Sequence, residues 1–211
     1  MKRLWRKLTS SGNRQAASVS QITQHELQDL VGRNGKVHID RLKTLVASVD
    51  ETSFCDFFKC PFLVGAGVYE GTIESYPENA RWRRLSATRV FFRNQLRDLL
   101  DGSSLENAVF PLRKDLYHRH LSPQYVELLI GRDPASDIRI PDPTISRLHA
   151  KLSITPEGFT LHDCGATNAL IINGGKITTA RRLEFNDSIK FGRFEFRFVT
   201  AEALYQRIST R

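Results

Sequence analysis

DPTISRLHAKLSI, residues Asp142 to Ile154, packs a proline-bounded turn, a Ser146-Arg147 pair, one histidine and a strand-like tail into a short span. A lone His in such a place has three chemical uses: metal ligand, general base or structural peg. A metal site needs further His, Cys or carboxylate ligands at matching spacing. A base needs a nucleophile within reach, whereas a peg needs only a packed surrounding. Ser146 and Arg147 open a strand after the Pro143 turn and so offer a hydroxyl and a cation on a loop, where binding groups are commonly carried.

From about Ala108 the chain is a series of short apolar or alternating segments, among them YVELLIG, DIRI, AKLSI, FTLHD, ALII, SIKFG and FEFRFV, separated by Pro, Gly, Asn and Asp. Many short strands with regular turn signals predict an all-β sandwich or barrel. FEFRFV alternates strictly, so one face of that strand is expected buried and the other wet. Four fragments stand out in this half: IGRDPASDIRI (130–140), ISRLHA (145–150), DCGATNALIINGG (163–175) and FNDSIKFG (185–192).

The order and spacing of these four fragments resemble the forkhead-associated (FHA) domain over roughly residues 106–200. The resemblance implies an eleven-stranded β-sandwich that binds phosphothreonine peptides on the loops at one end. It also implies that His149 is a structural residue whose ring braces those loops, since no second metal ligand or nucleophile stands at useful spacing. Gly131, Asn173 and Gly174 fit the pattern as backbone-shaping positions.

The chemistry of such a site is legible in the residues themselves. A phosphothreonine carries about −1.5 to −2 charge and three acceptor oxygens, so its receptor needs a guanidinium, a hydroxyl or backbone donors, and a group to hold the peptide main chain. Arg132 follows Gly131 at a strand end, where a turn aims its planar fork outward. Ser146 supplies a hydroxyl and Arg147 a second cation. Thr167 and Asn168 lie in a turn after Gly165, where an Asn amide both donates to and accepts from a peptide backbone. Ser146 alone, or Thr167-Asn168 alone, reads equally well as a plain turn; their common context favours binding. The family commonly has GSTNGT where this chain has GATNAL, so Ala166 and Ala169 replace a Ser and a Gly, which bears on peptide selectivity.

The first half has another texture. Residues 1–18 are basic, Ser-rich and aperiodic, and read as a disordered arm. Residues 19–105 read as a smaller, mainly helical region: Thr23 to Glu26 has capping-box spacing ahead of Leu27, Leu30 and Val31, with Gly32 as the stop. After GRNGK a second stripe, Ile39, Leu42, Leu45, Val46 and Val49, makes a helical hairpin with the first. A further helix is expected from a Ser86 cap through Leu99-Leu100 to Asp101-Gly102. FCDFFKCPFLVGAGVYEGTI reads as buried strand, buried loop or docking surface, with core packing preferred. Residues 201–211 are expected as a C-terminal tail.

The formal charge is +8, with 16 Lys/Arg against 11 Asp/Glu in residues 1–105 and 13 against 11 in residues 106–200. The modest N-terminal excess fits a solvated surface, and no clustered basic recognition face is present, so nucleic acid is not an expected partner. Cys55, Cys60 and Cys164 lack disulfide or zinc-knuckle spacing. No apolar run reaches the roughly 18–20 residues of a membrane span, no signal-like segment follows the basic start, and a cytoplasmic location is expected. There is no phosphate-cradling Gly-Lys-Ser/Thr loop and no Gly-x-Ser-x-Gly elbow. The expectation is therefore a non-enzymatic adaptor without cofactor or metal, whose partner is a Thr-phosphorylated protein, a Ser/Thr kinase or its substrate. The alternative is a phosphate-independent scaffold that uses the sandwich or docks through FFKCPFLVGAGVY or the N-terminal helices; a third reading is a nucleic-acid-binding regulator acting through the basic N-terminal half.

Overall fold

The computed structural model describes residues 30–32, 34–68, 108–113 and 126–210. The expected N-terminal arm, nearly all of the first expected helix and the helix from Ser86 lie outside them. Two helices open the described chain: α1 (Ile39–Ser48) and α2 (Glu51–Phe58). Eleven strands follow: β1 (Phe62–Val68), β2 (Val109–Pro111), β3 (Val126–Gly131), β4 (Ile138–Arg139), β5 (Ala150–Thr155), β6 (Gly158–Asp163), β7 (Leu170–Ile172), β8 (Gly175–Ile177), β9 (Ala180–Arg182), β10 (Ser188–Phe191) and β11 (Phe194–Val199). A third helix, α3 (Ala201–Ser209), closes the chain.

The strands form two sheets, one ordered β2-β1-β11-β10-β7-β8 and the other β4-β3-β5-β6-β9. All pairings are antiparallel except β3 with β4. The alternation of FEFRFV does what its period requires: Phe194, Phe196 and Phe198 are buried while Arg197 faces solvent. Phe196 meets Phe110 and Phe191 at ring separations of 5.9 Å, and Leu128, Ile130, Leu152 and Leu161 cover them from the second sheet. This is a mainly β, two-sheet architecture with two helices before the first strand and one after the last.

The expected division at residue 106 is crossed by the first sheet. Residues 106–200 contain ten of the eleven strands; the other, β1, lies upstream, pairs with β11 along its whole length and separates β11 from β2. FLVGAGV is an apolar run without a decisive period, and periodicity alone does not distinguish a buried strand from other buried structure. FCDFF is helix α2 instead of strand or loop. Asp50 caps it by accepting the Ser53 N–H at 2.7 Å, and Lys59 ends it in the left-handed region with φ 52°. Phe54, Phe58, Phe62, Leu63 and Val64 are all buried, which agrees with core packing and leaves none of these five available for docking.

Residues 201–209, expected as tail, are helical. Thr200 accepts the Ala203 N–H at 3.2 Å as an N-cap, Leu204 is buried, and the Tyr205 hydroxyl donates to the Val49 carbonyl at 2.9 Å. Tyr205 also packs on Phe54, so both chain halves share one apolar cluster. The GRNGK link is a tight turn: Val31 and Val37 form an antiparallel bridge, and the Val37 N–H donates to the Val109 carbonyl of β2 at 2.8 Å. Among the described residues no helix is long and apolar enough to cross a membrane.

Candidate functional site

β10 runs from Ser188, whose N–H donates to Asn173 Oδ1, to Phe191, beside the Gly192 turn. Asn173 and Gly192 therefore lie at opposite ends of the sandwich. At the Gly192 end, the β3–β4, β4–β5 and β6–β7 loops are joined by hydrogen bonds. The Arg132 N–H donates to the Ser146 carbonyl at 3.0 Å and the Asp133 N–H to the Arg147 carbonyl at 3.2 Å. The Thr167 N–H donates to Ser146 Oγ at 3.0 Å. Three expected site segments, around Arg132, Ser146-Arg147 and Thr167, are thus brought into direct contact.

Each position has a local cause. Gly131 is obligatory because a Cβ there would overlap the Arg147 carbonyl oxygen, so only Gly lets β3 pass beneath the β4–β5 loop. The Arg132 and Arg147 side chains are exposed, and among the described residues neither is paired with a carboxylate. The Ser146 oxygen already accepts a backbone N–H, so its own proton is left to donate outward. Thr167 is exposed. Ala169 avoids the left-handed region; that conformation falls on Gly165, φ 73°, so the Gly-to-Ala change relative to the common family motif adds no backbone strain here.

His149 is fully buried beneath these loops. Its Nδ1 accepts the Ser146 N–H at 3.1 Å, and its ring stands edge-on to Phe191 at 5.7 Å. Its backbone binds Ile130 and Cys164. Accepting at Nδ1 requires that Nδ1 carry no proton, so the neutral ring is the Nε2–H tautomer. Burial pushes its pKa down to about 4, against a smaller opposing pull from Asp163. Such a histidine is a peg between two loops, and among the described residues no cluster of His, Cys, Asp or Glu is arranged to hold a metal.

Sequence reasoning missed the foundation of the site. Asp142, buried, accepts the Thr144 N–H at 2.9 Å and the Thr144 hydroxyl at 2.6 Å through Oδ1, and its Oδ2 pairs with Arg193. Thr144 Oγ1 in turn accepts the Arg193 N–H at 3.3 Å. A Cβ on Gly192 would stand 2.6 Å from the Thr144 carbonyl oxygen, so glycine is again required by close approach. The Asp-Pro-Thr turn signal was visible, but nothing local tied it to Arg193. Asn168 joins this network: it is buried and donates from Nδ2 to the Thr144 carbonyl at 2.8 Å, so this amide braces the β4–β5 loop. Asn173 and Gly174 are not brought to the site. They form the β7–β8 turn at the far end, both left-handed, with φ 51° and 78°. There the Asn173 side chain binds Asp187 and Ser188.

Comparison with known proteins adds the family. Residues 128–192 match the family model of the FHA domain. The oxoglutarate dehydrogenase inhibitor of Corynebacterium glutamicum is 34% identical over 73 residues, covering 35% of this chain and 50% of that protein. The glycogen accumulation regulator GarA of Mycobacterium tuberculosis (strain ATCC 25618 / H37Rv) is 34% identical over 70 residues, covering 33% and 43%. The matched stretch thus spans about half the length of these relatives. The solved FHA domain of the CT664 protein from Chlamydia trachomatis aligns with TM-score 0.38 and 29% identity over 44% of this chain and 85% of that one. The family match falls on the segment that carries β3 through β10 and the three joined loops, and it identifies residues 128–192 of this protein as an FHA domain.

Proposed function

We propose that the protein is a phosphothreonine-dependent binding module acting as an adaptor in Ser/Thr kinase signalling, and that it is not an enzyme. The observation that carries this reading is the Ser146 hydroxyl, which accepts from Thr167 and keeps its own proton for an outside acceptor, on the same loop as the exposed Arg147 and hydrogen-bonded through its carbonyl to Arg132. A phosphate dianion matches that set: two guanidinium groups neutralise it and the Ser146 O–H donates to one of its oxygens. Because the loops are already fixed by hydrogen bonds, little ordering cost is left for binding. Arg132, Ser146 and Arg147 are read as phosphate ligands, with Thr167 beside the peptide main chain, Asn168 bracing the β4–β5 loop from within, and Gly131 and His149 beneath them. The names of the inhibitor and regulator relatives accord with control by binding instead of catalysis. The partner is a Thr-phosphorylated protein, either a kinase or a kinase substrate, and the location cytoplasmic.

The test is titration of the full chain with a diverse set of phosphothreonine peptides, each beside its unphosphorylated and Asp-substituted versions. Phosphorylated forms are expected to bind at least about tenfold more tightly, which is about 1.4 kcal/mol. Equal binding of all three forms across the set would favour a phosphate-independent scaffold.

A further inference from the structure

The Val31–Val37 turn is hydrogen-bonded to both sheets, to β2 through Val37 and to β4 through Asn34. Within the turn, Gly32 N–H donates to the Lys36 carbonyl at 2.8 Å and Gly35 N–H to the Gly32 carbonyl at 2.9 Å. Asn34 Oδ1 accepts the Lys36 N–H at 3.1 Å. Gly35 sits at φ 81°, where a β-branched residue is strained. Val37 is fully buried and bonds to β2, anchoring one side of the turn. On the other side, the Asn34 carbonyl accepts the Arg139 N–H of β4 at 3.0 Å.

Strand β4 is two residues long and ends its sheet. So short an edge strand has little pairing of its own to hold it. Arg139 is the register partner of Gly131, and the Ile140 N–H donates to the Gly131 carbonyl at 2.9 Å. Arg139 Nε also lies 3.5 Å from the Arg132 carbonyl. A continuous set of contacts therefore leads from Asn34 through Arg139 to Gly131 and Arg132.

Taking Arg132 as a phosphate ligand, as proposed above, we infer that the 31–37 turn is a positioning element for phosphopeptide binding: it pins β4 from outside, and β4 sets where the β3–β4 loop presents Arg132. The N-terminal region is then part of the affinity of the site without touching the ligand. Three full-length chains test this: wild type, Gly35→Val, which strains the turn, and Leu204→Ala, which loosens the core in α3 away from the turn. Each is titrated with one phosphothreonine peptide that wild type binds, and exchange of the Arg139 amide proton and the thermal midpoint are measured alongside. The expected result is faster Arg139 exchange and about fivefold weaker peptide binding in Gly35→Val, with Leu204→Ala losing thermal stability but keeping wild-type affinity. Asn34→Ala, which removes only the Asn34–Lys36 side-chain bond, is expected to show the same effect in weaker form, and serves if Gly35→Val fails to fold. Faster Arg139 exchange with unchanged affinity, or equal loss of affinity in Leu204→Ala, would overturn the inference while leaving the binding function intact. If wild type bound no phosphothreonine peptide at all, the function itself would fall and this inference with it.

Discussion

The two ends of the sandwich use the same residue types to different effect. At the far end, Asn173 binds Asp187 and Ser188, 14 and 15 residues away, across a turn whose two left-handed residues are Asn-Gly. At the loop end, the bonds from Thr167 to Ser146, Asn168 to Thr144 and Arg193 to Asp142 span 21, 24 and 51 residues. The far end is a turn that its own sequence encodes. The loop end is assembled from distant segments, and it holds Arg132 and Arg147 exposed at its surface. Long-range polar bonds fix the loops at one end while leaving Arg132 and Arg147 exposed, whereas the shorter-range ones at the other end hold a strand connection.

The largest expected effect concerns the platform that carries both ends. Residues 106–200 expressed alone lack β1, which separates β2 from β11, and the helices that bury Phe54 and Phe58. This fragment is expected not to unfold cooperatively by circular dichroism, whereas a chain from residue 30 should. A cooperative transition for 106–200 would show that the loop end stands without the N-terminal half. Next is Asp142→Ala, which removes the buried carboxylate that pairs with Arg193 and accepts two Thr144 donors. A loss of about 3–5 kcal/mol of stability is expected from denaturant titration, and a loss under about 1 kcal/mol would mean that the buried network does not hold the loops.

His149 adds a pH dependence to the loop end. Its folded pKa, about 4, lies below the ordinary value of 6.5, so between those values the unfolded chain takes up a proton that the folded chain refuses. The stabilisation is complete above pH 6.5, declines as pH falls and is gone below pH 4, amounting to about 3 kcal/mol. His149→Gln is expected to show a flatter stability profile over that window. Identical slopes for variant and wild type would remove His149 from the account. Arg132→Ala and Ser146→Ala should each weaken phosphothreonine-peptide binding by roughly 1.5–3 kcal/mol while leaving the fold intact; unchanged titration curves for both would dismantle the proposed site. The smallest effect belongs to the far end: Asn173→Ala should cost about 1 kcal/mol of stability and leave peptide affinity untouched, and any fall in affinity would tie the two ends together.

Much of this molecule was legible in its residues, because much of it is governed by short-range rules. Alternation in FEFRFV placed three phenylalanines inside and Arg197 outside, the Ile39-Leu42-Val46 stripe defined α1, and four fragments marked the loops of an FHA domain. What the residues could not reveal are features defined by a partner far along the chain. FLVGAGV becomes a strand because β11 and β2 flank it, and Asn168 is turned inward by the Thr144 carbonyl. Asn173 and Gly174, grouped with the site because they fit the family pattern, are carried to the other end by a single three-residue strand. Periodicity and turn chemistry act within a few residues and are written locally. Sheet order, close approach at Gly131 and Gly192, and the protonation of a buried His149 depend on which atoms the fold brings within a few ångströms, and that is decided by tertiary packing.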